Sequence, residues 1–232
     1  MGNMSRMNRW LLTLVMGAML SAAFAGCASD SSSAGPSGGS ATKGSKKMPG
    51  EEFPAVVAFR AHAAKKLGIP VDQVQGGPIS EVHANLFKNQ RVGKIWAFVM
   101  YTPGTPKVET RGWATPDGKV ITLEQNLGLL FAEAGVWGGG VSPPLTAQEL
   151  AERLIWSQGV NFSPQRDLRL GIPAPELTVQ DGAGTLTFIS GYRAPGPGGA
   201  GGGPVQLTRF EIALTKDQQA IASSKPFAPT KP

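Results

Sequence analysis

One cysteine, Cys27, and two histidines, His62 and His83, occur in 232 residues. A lone cysteine excludes an intrachain disulfide and a thiolate metal cluster. With so few imidazoles, a Ser-His-acid triad or a histidine-based zinc site must be built around one of two positions. His62 falls among alanines in a helical stretch, and His83 lies beside Glu81 and Asn85 in strand-like ISEVHANLF. Neither shows the spaced partners that such chemistry requires, so no catalytic residue, metal or cofactor is assigned. Charge is also sparse, at 16% of residues, and the formal excess of +6 is concentrated near the amino terminus. From residue 51 onward, 17 Lys and Arg face 15 Asp and Glu, which leaves no nucleic-acid footprint. The longest apolar run, Leu11 to Ala25, falls short of the roughly 20 residues that cross a hydrocarbon core.

That run is nonetheless the centre of the sequence. Arg6 and Arg9 precede it as a positive n-region, and it has the length of an export signal's apolar segment. It ends in small residues and then Cys27. Phe24-Ala25-Gly26-Cys27 resembles a bacterial lipobox, with Phe24 where Leu is usual. The resemblance to lipoproteins implies a diacylglyceryl group on the Cys27 sulfur, removal of residues 1–26, and a fatty acyl chain such as palmitate on the new amino terminus. Two or more chains, at about 0.8 kcal/mol per buried methylene, make a stable anchor. Ala28 follows the cysteine, and by resemblance to Gram-negative sorting it favours the outer membrane over the inner. The same letters also read as an A-x-A cleavage site, Ala23-Phe24-Ala25, which would release a soluble protein beginning at Gly26. An uncleaved signal anchor is the third alternative. Lipidation accounts for both the number and the position of the cysteine, because a free thiol is a liability in an oxidising compartment.

Residues 27–50 hold the modified cysteine and a Ser/Gly-rich tether, expected to be disordered because it has almost no bulky apolar side chains. A helix is expected over 52–67, with Pro54 in its first turn, Lys65 and Lys66 in its last, and Gly68 to end it. Its predicted apolar stripe is Phe53, Val56, Val57, Ala61, Ala64 and Leu67. KIWAFVMYT (94–102) is apolar at both parities and predicts a strand covered on both sides or placed at an interface. PGTP and PDG turns lead into KVETRGWAT and KVITL, which makes an antiparallel meander. A short helix over 123–135 buries Leu127, Leu130, Phe131 and Ala134. After a breaker-rich connector at 136–145, Thr146 and Glu149 form a capping box for a helix that buries Leu150, Leu154 and Ile155. An irregular stretch (160–174) is followed by the strands ELTVQ, TLTFISGYR, VQLTRFEIALT and QAIAS.

The fold class is therefore α+β, and the two halves, 51–135 and 146–232, have the same plan of a helix followed by strands. Laid together, Tyr101 meets Tyr192 and Asp117 meets Asp217, with the final turns 100 residues apart. This predicts a diverged duplication. The unit ending in Thr-Pro-Asp-Gly-Lys-Val (115–120) is similar to PepSY and cystatin-like modules, in which a helix packs across an antiparallel sheet. The resemblance implies that shape and, for some PepSY modules, inhibition of a protease.

Gly196–Gly201 matches G-x-G-x-x-G, but prolines flank it and a strand follows, so no helix amino terminus meets a pyrophosphate. Ser40-x-x-Lys43 falls in the tether, and Glu149/Glu152 falls in a helical first turn, where the dipole accounts for it. A candidate binding surface is Arg111, Trp113 and Trp96, with the alternative that a buried tryptophan packs helix to sheet. The expected function is that of a non-catalytic, membrane-anchored envelope lipoprotein that binds another envelope protein or supports an assembly. The alternatives are a PepSY-like inhibitor or chaperone of an exported protease, and a hydrolase with a carboxylate site.

Overall fold

Proline at its start and glycine just past its end delimit the first helix, α1 (Pro54–Leu67). Gly68 takes φ +68° and donates its N–H to the Ala64 carbonyl. The structure is a computed structural model that describes residues 53–79, 90–104, 108–194 and 204–229. Cys27, the signal, the tether, Glu51, Glu52, His83 and the glycine-rich loop at 195–203 lie outside the described residues. The expected stripe of α1 is half right: Val56, Ala64 and Leu67 face the core, but its centre is displaced. Ala55, Val56, Phe59 and Ala63 are buried, whereas Phe53 and Val57 are 66% and 56% exposed and Ala61 faces solvent. Phe59 sets the phase, because its ring stacks on Phe98 with centroids 4.8 Å apart.

Two antiparallel sheets follow. The first runs β1 (Gln75–Pro78), β2 (Trp96–Tyr101), β3 (Glu109–Ala114), β4 (Val120–Ile121), in that spatial order. In the second, β5 (Phe162–Pro164) and β6 (Glu176–Gln180) both pair with β7 (Ala183–Arg193), at opposite ends of it. β8 (Val205–Leu214) and β9 (Ala220–Pro226) complete that sheet. Between the sheets in sequence come α2 (Leu127–Glu133) and α3 (Ala147–Gln158). The described residues thus form an α+β structure with three α-helices and two antiparallel sheets. None of these helices is long and apolar enough to cross a membrane.

Strand alternation sorts the layers. Phe98, Met100 and Ala114 face α1, where Gly112 leaves room for Phe59: a Cβ there would lie 3.0 Å from the ring. Ala97 and Trp113 point the other way, into a core built with Leu130, Phe131, Leu150, Leu154 and Trp156 of α2 and α3. The same core takes Leu186, Phe188, Ile212 and Leu214 from the second sheet, so it runs unbroken across the connector at 136–145. Trp137 in that connector donates its indole N–H to the Gly182 carbonyl at 2.8 Å. Helix α3 starts on the capping box: Thr146 Oγ1 accepts from Glu149 N–H (3.2 Å), and Glu149 Oε2 accepts from Thr146 N–H (2.9 Å). The Thr146 N–H and the Thr146 hydroxyl, which also donates to Glu149 Oε2 at 2.9 Å, hold the Glu149 carboxyl below its ordinary range.

The turns closing the last hairpin of each half have matching bonds. Thr115 N–H donates to Lys119 C=O (3.0 Å) and Thr115 Oγ1 accepts Lys119 N–H (2.9 Å). Thr215 and Gln219 repeat both, at 3.0 and 3.1 Å. Gly118 and Gln218 hold the left-handed position, at φ +89° and +60°.

Candidate functional site

Strand β4 pairs only with Trp113 and Ala114, so it stops short of the Glu109–Gly112 end of β3. The chain turns away at Thr122, whose Oγ1 accepts the Glu124 N–H at 3.2 Å. A cavity of about 270 Å³ opens there. Arg111 lines it from β3, Thr122 and Glu124 from the end of β4, Ser157 and Gln158 from the carboxyl end of α3, Phe162 from β5 and Lys66 from α1.

Arg111 is only 8% exposed. Its Nε lies 2.7 Å from Glu109 Oε1, two residues back on the same strand face. Its Nη1 donates toward the Trp156 carbonyl at 3.5 Å, and the guanidinium sits 5.6 Å from the centre of the Trp156 ring. A buried charge is tolerated only when paired and hydrogen-bonded, and the carboxyl end of α3 adds a favourable partial charge. Arg111 therefore ties β3 of the first sheet to α3, the helix that leads into the second.

The three residues expected to form one binding surface do not come together. Arg111 and Trp113 share a face, as their spacing predicts, but Trp113 is fully buried and donates its indole N–H to the Gln90 carbonyl at 2.9 Å. Its ring meets Trp156 at 5.6 Å and packs sheet to helix, which is the alternative reading of that residue. Trp96 pairs with Ala114 across the sheet and so lies on the opposite, α1-facing side, 38% exposed with Arg91 over its ring at 4.5 Å. Strand alternation separates them.

His62 is half-buried, with its ring 5.7 Å from that of Phe59. Burial lowers its pKa from 6.5, Lys66 and Lys65 lower it further, and Glu124 acts in the other direction. Among the described residues no histidine lines the cavity, and the Ser157 hydroxyl donates to the Leu154 carbonyl at 2.8 Å, as a helix-end hydroxyl does. Lys66 suits the carboxylate of a polar ligand, and Glu124 suits a cationic group. The arrangement is equipped to hold such a ligand, with no nucleophile set against a base. Among the described residues no group of three His, Cys, Asp or Glu is placed to hold a metal ion. Sequence reasoning picked out Arg111 but missed Thr122, Ser157, Gln158 and Phe162, and it took Lys66 as dipole compensation. The one local signal was Glu109-x-Arg111, opposite charges at strand spacing. Compared with known proteins, the chain matches no family model, no curated protein and no solved structure.

Proposed function

We propose that this chain is a lipid-anchored protein of the bacterial cell envelope whose α+β domain binds another envelope protein or supports an assembly, without catalysing a reaction. The observation that carries this reading is the single cysteine, set directly after an export-type apolar run and two small residues. Acylation at Cys27 holds the chain at the bilayer, with the outer membrane favoured by Ala28. Within the domain, the two halves are diverged copies of a helix-plus-meander module. Support comes from β1-β2-β3-β4 and β5/β6-β7-β8-β9, each preceded by a helix, and from the matched turns at Thr115 and Thr215. A second reading draws on α1 lying across the first antiparallel meander, which is the PepSY-like shape. It makes the domain a stoichiometric inhibitor or chaperone of an exported protease.

Fatty-acid labelling and membrane fractionation of cells test the anchor. The wild-type chain incorporates label and sediments with membranes, and Cys27→Ala loses both. A mature amino terminus at Gly26 with an unmodified thiol would overturn the reading. Cross-linking in intact cells is expected to capture an envelope protein rather than a cytoplasmic one. Inhibition of a protease by an equimolar amount of the chain would favour the second reading.

A further inference from the structure

Between β5 and β6 the chain leaves the sheet, and what it displays there is unusual for a well-fastened turn. The Gln165 N–H donates to the Ile189 carbonyl at 3.2 Å and ties the entry to β7. Asp167 Oδ1 then accepts the Arg169 N–H (2.9 Å), and the Asp167 carbonyl accepts from both Leu170 (3.0 Å) and Ile172 (2.9 Å). Gly171 adopts φ +64°, and Ile172, 2% exposed, pins the exit. Despite this fastening, Leu168 is 73% and Leu170 47% exposed, with exposed Arg169 between them and exposed Arg166 two residues before. The Ile189 row of the sheet also carries Arg209 and Lys225. Glu176 and Glu211 sit one row further from the loop.

We propose that this loop is a membrane-docking element that inserts Leu168 and Leu170 into the interfacial zone of an anionic bilayer while its arginines contact lipid phosphates. Protruding apolar tips alternating with cations fit that boundary, where acyl chains and anionic headgroups meet over a few ångströms. The loop's one carboxylate, Asp167, is engaged with a backbone N–H of the turn itself. The inference rests on the anchored reading for its biological setting. The 25 residues between Cys27 and Phe53 reach at most about 85 Å, several times the roughly 16 Å radius of gyration of a domain this size. Such a connection imposes no face on the bilayer, so a surface element has to choose one. Because the anchor keeps the domain at high local concentration, weak contacts are enough.

Hydrogen exchange on the full chain tests this, with the chain in detergent, on phosphatidylglycerol vesicles and on phosphatidylcholine vesicles. Amides of residues 165–171 are expected to exchange about tenfold more slowly on the anionic vesicles than in detergent. Zwitterionic lipid should protect them less, and added salt should reduce the difference. The L168S/L170S variant and, separately, the R166Q/R169Q variant lose the slowing while keeping the urea midpoint of the parent. Equal exchange on anionic vesicles and in detergent overturns the proposal, as does slowing that appears only when a second protein co-purifies. The intact mass of the Cys27 peptide reports acylation separately. An unmodified cysteine with a protected loop removes the anchor reading alone, and an acylated cysteine with an unprotected loop removes this one alone.

Discussion

Two antiparallel sheets, one of four strands and one of five, are treated differently by this chain. The first is covered on both faces, by α1 on one side and by α2 and α3 on the other. The second is covered along one face, and on the other only at the end around Ile189. Leu186, Phe188, Ile212 and Leu214 point into the shared core, whereas Thr187, Glu211, Ala213 and Ser223 of neighbouring strands are not buried. The sequence records the difference directly: WAFVMY is apolar at both parities, and TLTF alternates. A sheet buried on both sides is structural interior, and a sheet with one open side keeps a surface for contact. That asymmetry leaves the second sheet an open stretch of face around Glu211 and Ala213, while the cavity draws Lys66, Arg111, Thr122 and Glu124 from the first half.

The sharpest way to break this comparison sets two arginines against each other. Arg111 lies on a covered face with its charge paired inside the protein, and Arg209 is half-buried on the outer face of β8 opposite Ile189. In urea unfolding, Arg111→Ala is expected to cost about 1.5–3 kcal/mol, because it empties a buried position and strips the partly exposed Glu109 carboxylate of its charged partner. Arg209→Ala, which removes a half-buried side chain with no buried charge pair among the described residues, should cost about 1 kcal/mol or less. Replacing both members of the first pair, Glu109→Gln with Arg111→Met, recovers much of the loss. If Arg209→Ala proved as costly as Arg111→Ala, the second sheet's outer face would be load-carrying and the contrast would vanish.

How much of this was legible beforehand depends on how local each signal is. The Thr146–Glu149 capping box and the Gly68 stop depend on residues within one helical turn, and both read correctly. The two-sided burial of β2 also read correctly, since parity is a property of the strand itself. The phase of α1 read correctly only in part. Its composition is rich enough in alanine and valine that two neighbouring stripes look equally apolar, and only the stacking of Phe59 on Phe98 chooses between them. β5 was hidden in an irregular stretch because Phe-Ser-Pro is three residues ending in proline. The cavity was illegible for a deeper reason. Lys66, Arg111, Thr122, Ser157 and Phe162 come from separate elements, and nothing local says that β4 stops early enough to leave a gap between them.

The matched turns sharpen the same comparison at a smaller scale. Gly118 and Gln218 hold equivalent left-handed positions, yet only one is a glycine. A side chain in that region costs about 1–2 kcal/mol. Gln218→Gly is therefore expected to stabilise the protein by up to about 1 kcal/mol, with part of the gain lost to the greater entropy of the unfolded chain. Gly118→Ala should destabilise it by about 1–2 kcal/mol, since a Cβ there also meets the Pro54 carbonyl at 3.1 Å. Opposite signs at the two positions in urea midpoints are the expected result. Equal signs would mean that the two turns share bonds without sharing their energetics.

The smallest effect concerns pH, and it belongs to the first half, because the second contains no histidine. Burial beside Phe59, reinforced by Lys66 and Lys65, lowers the His62 pKa from 6.5 in the folded protein, with Glu124 opposing. Below that value the unfolded chain takes up the proton more readily than the folded one, so stability rises with pH in this window. The contribution of His62 is complete above about pH 6.5 and is lost as the pH falls through the unfolded value toward the depressed folded one. Melting temperature is accordingly expected to drop modestly between pH 7.5 and pH 5.5, and His62→Gln should flatten that slope. An unchanged slope in the variant would assign the pH dependence to other groups and leave α1 without a titrating contact.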